Sequence, residues 1–312
     1  MLCNIITEGM VGTENQCVGA ANALGASVQI KQIGLNQPWK TLSPWLGFEK
    51  QQSFTAPLSP PWPDLLIVSG RKSIAAARYI KKQNPKTFTV YIQNPKINPA
   101  EFDLVAAPFH DNISGENVIV TDAAPNKITP AFLTTAHEEF APLFKNLTKP
   151  RLAVLIGGSS RTHKMTDEIT QNLTNRLKEL SQQYSLMITA SRRTGNQNTQ
   201  TLKSTLTGKD IYFYDGSGNN PYLGMLAWAD KILVTNDSVS MLSDAGTTGK
   251  PVYTIDLEGS SKRFDRLYNH LSDLNIIRQL PTDGNLEDWR YEPLNDAQKI
   301  ANAIKERMEQ RI

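Results

Sequence analysis

The chain has 312 residues, 39% of them apolar and 20% charged, and 33 lysines and arginines against 30 aspartates and glutamates leave a net charge of +3. That length is about twice a usual domain, so it holds two domains or one large α/β domain, either with a sizeable core. The near balance of charge excludes a disordered tail and an electrostatic nucleic-acid binder, and no apolar run approaches the roughly 20 residues of a membrane-spanning helix, so a soluble protein is expected.

Short apolar, β-branched runs alternate with segments of helical period, the pattern of parallel sheets covered by helices on both faces. The expected class is therefore α/β. In the first half the strand candidates are residues 2–7, 28–33, 64–69, 87–92, 102–106 and 118–120. The first basic residue is Lys31, so the amino terminus offers neither a secretory signal nor an Arg-rich presequence, and a cytoplasmic location is expected. Cys3 and Cys17 are too few for a disulfide framework and read as reduced, buried, small apolar residues. Residues 37–63 carry Pro38-Trp39, Pro44-Trp45 and Pro60-Pro61-Trp62-Pro63, which suit neither a central strand nor a helix interior, so a long surface excursion is predicted.

A second series of strands restarts after Lys149-Pro150, at 152–156, 186–190, 211–214, 232–235 and 252–255. Each half opens alike, with an apolar strand, a glycine-containing loop and a helix; in the second half Ile169, Leu173, Leu177 and Leu180 fall on one helical face. The economical reading is two Rossmann-like doubly wound domains, 1–148 and 151–290, facing each other across a cleft. A terminal helix over 295–312, with Ile300, Ile304, Met308 and Ile312 in one stripe, is expected to pack back on the body.

Ligands of open α/β sheets bind at the carboxyl ends of the strands, so the loops there hold the candidate chemistry. Gly157-Gly158-Ser159-Ser160-Arg161 is long, glycine-led and rich in donors, as a phosphate cradle requires; a glycine turn that merely lets strand and helix pack is the alternative. Ser191-Arg192-Arg193 follows the next strand, where adjacent arginines can clamp a diphosphate or lie solvated on the surface. Asp237-Ser238 leads into a helix with Ser238 as its N-cap, Ser240 in its first turn and Asp244 one turn on, so the start can hold phosphates and the carboxylate ribose hydroxyls, or the residues simply cap and pack.

In the first half Gly12, Glu14, Asn15 and Gln16 open the first helix, where they could bind or deprotonate a hydroxyl-bearing acceptor or merely start the helix. Arg71 follows the strand at 64–69. His110 beside Asp111 is the plausible general base by residue type, a structural pair being the alternative. The four histidines, 110, 137, 163 and 270, lack metal-ligand spacing, so neither a metal nor a cofactor is expected.

Taken together, Gly12-x-Glu14-Asn15-Gln16, Ser69-Gly70-Arg71, Gln93-Asn94-Pro95, His110-Asp111, Gly157-Gly158, Ser191-Arg192-Arg193-Thr194, Asn220-Pro221-Tyr222-Leu223, Asp237-Ser238-Val239-Ser240-Met241 and Thr248-Gly249-Lys250-Pro251 resemble the mitochondrial-fission ELM family. Its bacterial members are described as candidate glycosyltransferases, and the family resembles glycosyltransferases of the GT-B fold. The resemblance implies a nucleotide-diphosphate sugar held by Gly157, Gly158, Ser159, Ser160, Arg161, Ser191, Arg192, Arg193, Asp237, Ser238, Ser240 and Asp244. It implies a glycan or lipid acceptor near Gly12, Asn15, Gln16 and Arg71. Many bacterial relatives have histidine where this chain has Thr13, which moves the general base to Glu14 or to His110 with Asp111, and relatives show glutamate at Asp244. The expected function is sugar transfer to a hydroxyl acceptor, with peripheral contact at the inner membrane face as a variant of the cytoplasmic location. A non-catalytic adaptor at a membrane surface and a nucleotide-sugar epimerase on the same fold are the alternatives.

Overall fold

The structure is a computed structural model describing residues 1–148 and 150–311. Lys149, where the restart was placed, and Ile312, the last member of the terminal stripe, lie outside the described residues. The chain divides into two compact units, Met1–Lys127 with Asn295–Ile312, and Ile128–Leu294.

Unit 1 consists of β1 (Leu2–Thr7), α1 (Val11–Ala23), β2 (Ser27–Gln32), the single turn α2 (Trp39–Leu42), β3 (Leu65–Val68), α3 (Ser73–Gln83), β4 (Phe88–Ile92), β5 (Leu104–Pro108) and β6 (Val118–Thr121). The strands form one parallel sheet in the order β2-β1-β3-β4-β5-β6. β3, β4 and β5 are apolar at nearly every position because helices cover both faces. Alternate residues point to opposite faces: Cys3, Ile5, Leu65, Ile67 and Val90 pack with Cys17, Ala20 and Ala21 of α1, while Ile6, Leu66, Val68 and Tyr91 pack with Ile74 and Ile80 of α3. Burial in that core pushes the Cys3 thiol up to about 12, and neither cysteine forms a disulfide.

The last helix of the chain, α11 (Asp296–Glu309), belongs to unit 1. Ile300 and Ile304 are buried in the α1 core, and the buried Asp296 carboxylate accepts the backbone N–H groups of Asp122 and Ala123 at 2.8 and 2.9 Å. A carboxylate at that end of the helix also suits its dipole.

Unit 2 begins with α4 (Pro130–Glu139) and α5 (Ala141–Phe144), continues through β7 (Arg151–Ile156), α6 (Asp167–Leu180), β8 (Ser185–Ala190), α7 (Asn196–Thr205), β9 (Ile211–Tyr214), α8 (Tyr222–Trp228), β10 (Lys231–Thr235), α9 (Val239–Thr247) and β11 (Val252–Ile255), and ends with α10 (Lys262–Asp273) and β12 (Ile277–Gln279). Its parallel sheet runs β12-β11-β10-β7-β8-β9. The division between units falls after Lys127, earlier than the 148 expected, because α4 packs on α8. The Trp228 indole N–H donates to His137 O at 2.8 Å, the two rings stack 3.9 Å apart, and a Cβ on Gly224 would lie 2.4 Å from the Phe140 ring.

All eleven expected strands are present, and β12 was missed because Ile277-Arg278-Gln279 is a three-residue edge strand with no apolar run. The excursion is as irregular as its prolines dictate, with one α-helical turn, one 3-10 turn at Gln51–Ser53 and an isolated antiparallel bridge between Leu35 and Phe54. In each unit the strand order reverses once, between β1 and β3 and between β7 and β10. Chains depart in opposite directions there, which opens a crevice at the carboxyl ends of the strands.

Candidate functional site

At the switch point of unit 2 the loop after β7 meets the residues that follow β8 and β10. Gly157 and Gly158 are required by this close approach. A Cβ on Gly157 would lie 2.2 Å from Asp237 Oδ1, and one on Gly158, whose φ is +151°, would lie 2.2 Å from the Arg193 backbone. The packing also uses the backbone donors expected to cradle a phosphate. Gly157 N donates to Thr235 Oγ1 at 2.7 Å, Gly158 N to Asp237 Oδ2 at 3.0 Å, Ser159 N to Arg193 O at 3.0 Å and Ser160 N to His163 O at 2.8 Å. The glycines therefore serve close packing, and the loop presents no open nest of N–H groups.

The serines are engaged as well. Ser159 Oγ accepts Met165 N, Ser160 Oγ accepts Thr162 N and His163 N, and Ser191 Oγ donates to Gly157 O at 2.8 Å while accepting Arg193 N. What the loops do present is charge. Arg161 and Arg192 are exposed, and Arg193, 41% exposed, reaches Asp237 Oδ2 with Nη1 at 2.7 Å. Asp237 itself is wholly buried at its side chain, and its Oδ1 has no hydrogen-bond partner among the described residues. Expected as a donor ligand, it braces the glycine loop and holds Arg193 in this structure.

The N-terminus of α9 lies beside this pair. Ser238 caps it by accepting Met241 N at 3.4 Å, as expected, which leaves Val239 N and Ser240 N as the helix's first donors without intrahelical acceptors. One turn on, Asp244 Oδ2 accepts the Tyr222 hydroxyl at 2.9 Å. Burial, then the Asp244 charge and hydrogen bond, hold that phenol well above its ordinary value, so Tyr222 remains a donor. Pro221 is the N-cap residue of α8.

A cavity of about 310 Å³ adjoins these loops at the carboxyl ends of β10 and β11, lined by His163, Asn236, Asp256, Asp265 and Tyr268 among others. His163 is buried, with Nδ1 at 3.0 Å from the Thr162 hydroxyl and Nε2 without a hydrogen-bond partner among the described residues; burial lowers its pKa and keeps the ring neutral. Burial raises the pKa of Asp256, which accepts Asn236 Nδ2 at 3.0 Å and Gln279 Nε2 at 2.7 Å. Asp256 was not anticipated, although its place directly after the strand at 252–255 was the available signal. It also lines a larger cavity, of about 600 Å³, between α6 and β11–β12.

In unit 1 the candidate residues separate. Glu14 and Asn15 are half-buried in the first turn of α1, and Gly12 is exposed there. Gln16 is buried and accepts the Gln93 amide at 2.9 Å, which ties α1 to the loop after β4. His110 and Asp111 have side-chain exposures of 0 and 4%, with Asp111 accepting Asn94 N at 3.0 Å. A general base must touch its acceptor, and both side chains lie beneath the surface of the unit here.

Arg71 is engaged within the unit. Its guanidinium donates to the carbonyls of Lys40 and Thr41 at 3.2 and 3.3 Å and to that of Ser43, clamping the excursion. Sequence reasoning missed Glu8, just after β1, whose carboxylate takes Lys72 N and Lys72 Nζ, both at 2.9 Å. Burial alone would raise the Glu8 carboxyl, but the Lys72 hydrogen bonds and charge outweigh it and hold it below its ordinary value. Among the described residues no group of three His, Cys, Asp or Glu side chains is placed to hold a metal, and no helix is long and apolar enough to cross a membrane.

The sequence profile of the family described as mitochondrial fission ELM1 matches residues 11–308. The mitochondrial fission protein ELM1 of Arabidopsis thaliana is 26% identical over 382 aligned positions, spanning 96% of this chain and 90% of that protein. An uncharacterized protein of Rickettsia prowazekii (strain Madrid E) is 28% identical over 293 positions, spanning 78% and 79%. Among solved structures, UDP-GlcNAc 2-epimerase from Neisseria meningitidis bound to UDP-GlcNAc superposes with a TM-score of 0.53 at 14% identity, spanning 99% of this chain and 92% of that one. That likeness establishes the fold, two Rossmann-like domains of the GT-B-like class.

Proposed function

The chain belongs to the mitochondrial fission ELM1 family, and from that premise we propose that it is a glycosyltransferase whose unit 2 binds a nucleotide-diphosphate sugar. The observation that carries this reading is that Arg161, in the loop after β7, and Arg192 and Arg193, directly after β8, stand at the carboxyl ends of adjacent strands, of which β7 neighbours β10, which the N-terminus of α9 follows. Guanidinium groups and first-turn N–H groups are the donors a diphosphate needs, and a switch-point crevice is where such ligands sit. The Neisseria protein of like fold, bound to UDP-GlcNAc, supports the same ligand class.

In the proposed reaction the bond from the sugar's anomeric carbon to the diphosphate breaks, and a bond from that carbon to the acceptor oxygen forms. Arg161, Arg192 and Arg193, with Val239 N, Ser240 N and the Ser240 hydroxyl, stabilise the charge left on the departing diphosphate. Arg193 exchanges Asp237 for a phosphate oxygen as the donor enters. Asp244, which accepts the Tyr222 hydroxyl, is the carboxylate proposed for a ribose hydroxyl, and the acceptor's proton passes to a carboxylate base, for which Glu14 at the start of α1 is the candidate within unit 1.

A thermal-shift screen over nucleoside diphosphates and nucleotide sugars tests the reading. At least one should stabilise the protein, by on the order of 2.7 kcal/mol at a hundredfold excess over Kd, and Arg193→Ala should cut that gain to about 0.4–1.4 kcal/mol at the same concentration. If no nucleotide stabilises the wild type, the proposal fails. A second reading, a nucleotide-sugar epimerase, is favoured by the burial of His110 and the engagement of Gln16 and Arg71 within the fold, which leave few groups for an acceptor. Conversion of a nucleotide sugar without any acceptor would select it.

A further inference from the structure

The unused part of the sequence is the excursion between β2 and β3, which is firmly built. Asn36 Nδ2 donates to Gln52 O and Phe54 O, both at 3.0 Å, and Thr55 N donates to Gly34 O at 3.0 Å, closing its neck. Trp39 packs against the α3-side core and donates its indole N–H to Gly47 O at 3.2 Å. From the body of the unit Arg71 grips the carbonyls of residues 40, 41 and 43, and Arg78 grips Pro44 O and the Glu49 carboxylate.

Held in this way, the segment turns Trp45 and Phe48 outward, 72% and 85% exposed, with Leu42 at 45%. Gly47 and Phe48 both take the left-handed conformation, φ +62° and +58°, so the backbone itself directs the Phe48 ring away from the body. Met10, Val11 and Phe109, which are also exposed, follow β1 and β5 at the same carboxyl edge of the sheet, while the exposed Met1, Ile30 and Val120 of this unit lie before or within strands. An apolar surface of this kind, fixed in place and facing water, marks an interaction site.

Its charge identifies the partner. Over residues 34–63 the only carboxylate is Glu49, buried and paired with Arg78, while Lys40 and Lys50 are exposed and without an ion pair among the described residues. Arg71 adds its charge without a carboxylate hydrogen bond. A second copy of the chain would bring like charges together in a two-fold contact, whereas an anionic lipid surface complements them, and tryptophan settles at that interface.

We propose that the carboxyl edge of the unit 1 sheet docks on an anionic lipid bilayer, with Leu42, Trp45 and Phe48 entering the interface and Lys40 and Lys50 meeting the headgroups. The proposal is independent of the donor site, because no nucleotide takes part. The test is co-sedimentation of the full chain with phosphatidylcholine vesicles, with and without phosphatidylglycerol, for the wild type, a Trp45→Ser/Phe48→Ser variant and a Lys40→Glu/Lys50→Glu variant. All four side chains are exposed, so both variants should unfold at the wild-type temperature.

The wild type should bind the phosphatidylglycerol vesicles, less tightly as salt rises and weakly at most to phosphatidylcholine alone. The aromatic variant should lose at least about tenfold in partition, as expected for withdrawing two large apolar side chains from the interface, and the charge variant should lose the preference for anionic lipid. Three outcomes overturn the proposal: no binding to anionic vesicles, unchanged binding by both variants, or a wild-type dimer that the aromatic substitutions dissociate.

Discussion

Arg193→Ala and Asp237→Asn should both destabilise unit 2 and should move nucleotide affinity in opposite directions. Asp237 is wholly buried at its side chain and is held by Gly158 N at 3.0 Å and Arg193 Nη1 at 2.7 Å. Removing one partner of a buried ion pair costs about 3–5 kcal/mol, but Arg193 is 41% exposed, so solvent screening brings the expected cost of Arg193→Ala to about 1–2 kcal/mol. Asp237→Asn keeps an acceptor for Gly158 N and loses the charge, for about 1 kcal/mol.

The effects on the ligand differ in sign. Without Arg193 a bound diphosphate loses a charge-assisted hydrogen bond of about 1.5–3 kcal/mol, or roughly tenfold to a hundredfold in Kd. With asparagine at 237 the arginine is released and a negative charge beside the phosphates is gone, so UDP should bind more tightly, by about threefold to tenfold. Calorimetric titration of UDP and UDP-GlcNAc into each variant, beside thermal unfolding, reads both quantities. If Asp237→Asn weakens nucleotide binding as much as Arg193→Ala does, the pair is part of the scaffold alone and the exchange of Asp237 for phosphate is wrong.

Three further substitutions test the packing. Gly158→Ala should cost more than about 3 kcal/mol, or prevent folding, since its Cβ would sit 2.2 Å from the Arg193 backbone at φ +151°; an unchanged unfolding temperature would contradict the close-packing account of the glycine loop. Tyr222→Phe should cost about 1 kcal/mol by leaving Asp244 without the phenol donor, and a wild-type thermal midpoint would show that the hydrogen bond contributes nothing. Glu8, held below its ordinary 4.5 by Lys72, contributes stability that is present above 4.5 and lost as pH falls through its lowered value. The stability difference between wild type and Glu8→Gln, about 1 kcal/mol at pH 7, should therefore shrink in acid, and a difference that grows there would refute the assignment.

The sheets were legible because a strand buried on both faces must be apolar throughout, and Leu65-Leu66-Ile67-Val68 and Leu152-Ala153-Val154-Leu155-Ile156 can hardly be anything else. β12 was not, since an edge strand needs no such run, and neither was the boundary after Lys127, which depends on α4 meeting α8 across about 90 residues of sequence. At the site, the rule that ligands gather at strand ends pointed to the loops after β7, β8 and β10, which the fold brings together at one switch point. It did not distinguish residues that face a ligand from those that hold the loops together. Gly157, Gly158, Ser191, Asp237, Gln16 and Arg71 all make contacts within the fold, and only the hydrogen-bond partners each one finds in three dimensions reveal this.

The central claim is that a nucleotide-diphosphate sugar sits at the carboxyl ends of β7, β8 and β10, and amide hydrogen exchange with and without UDP-GlcNAc tests it most directly. The predicted result is new protection of Val239 and Ser240 at the start of α9, with slower exchange in residues 191–195. Protection confined to other parts of the chain, or none at a saturating concentration of the nucleotide sugar, would contradict the account.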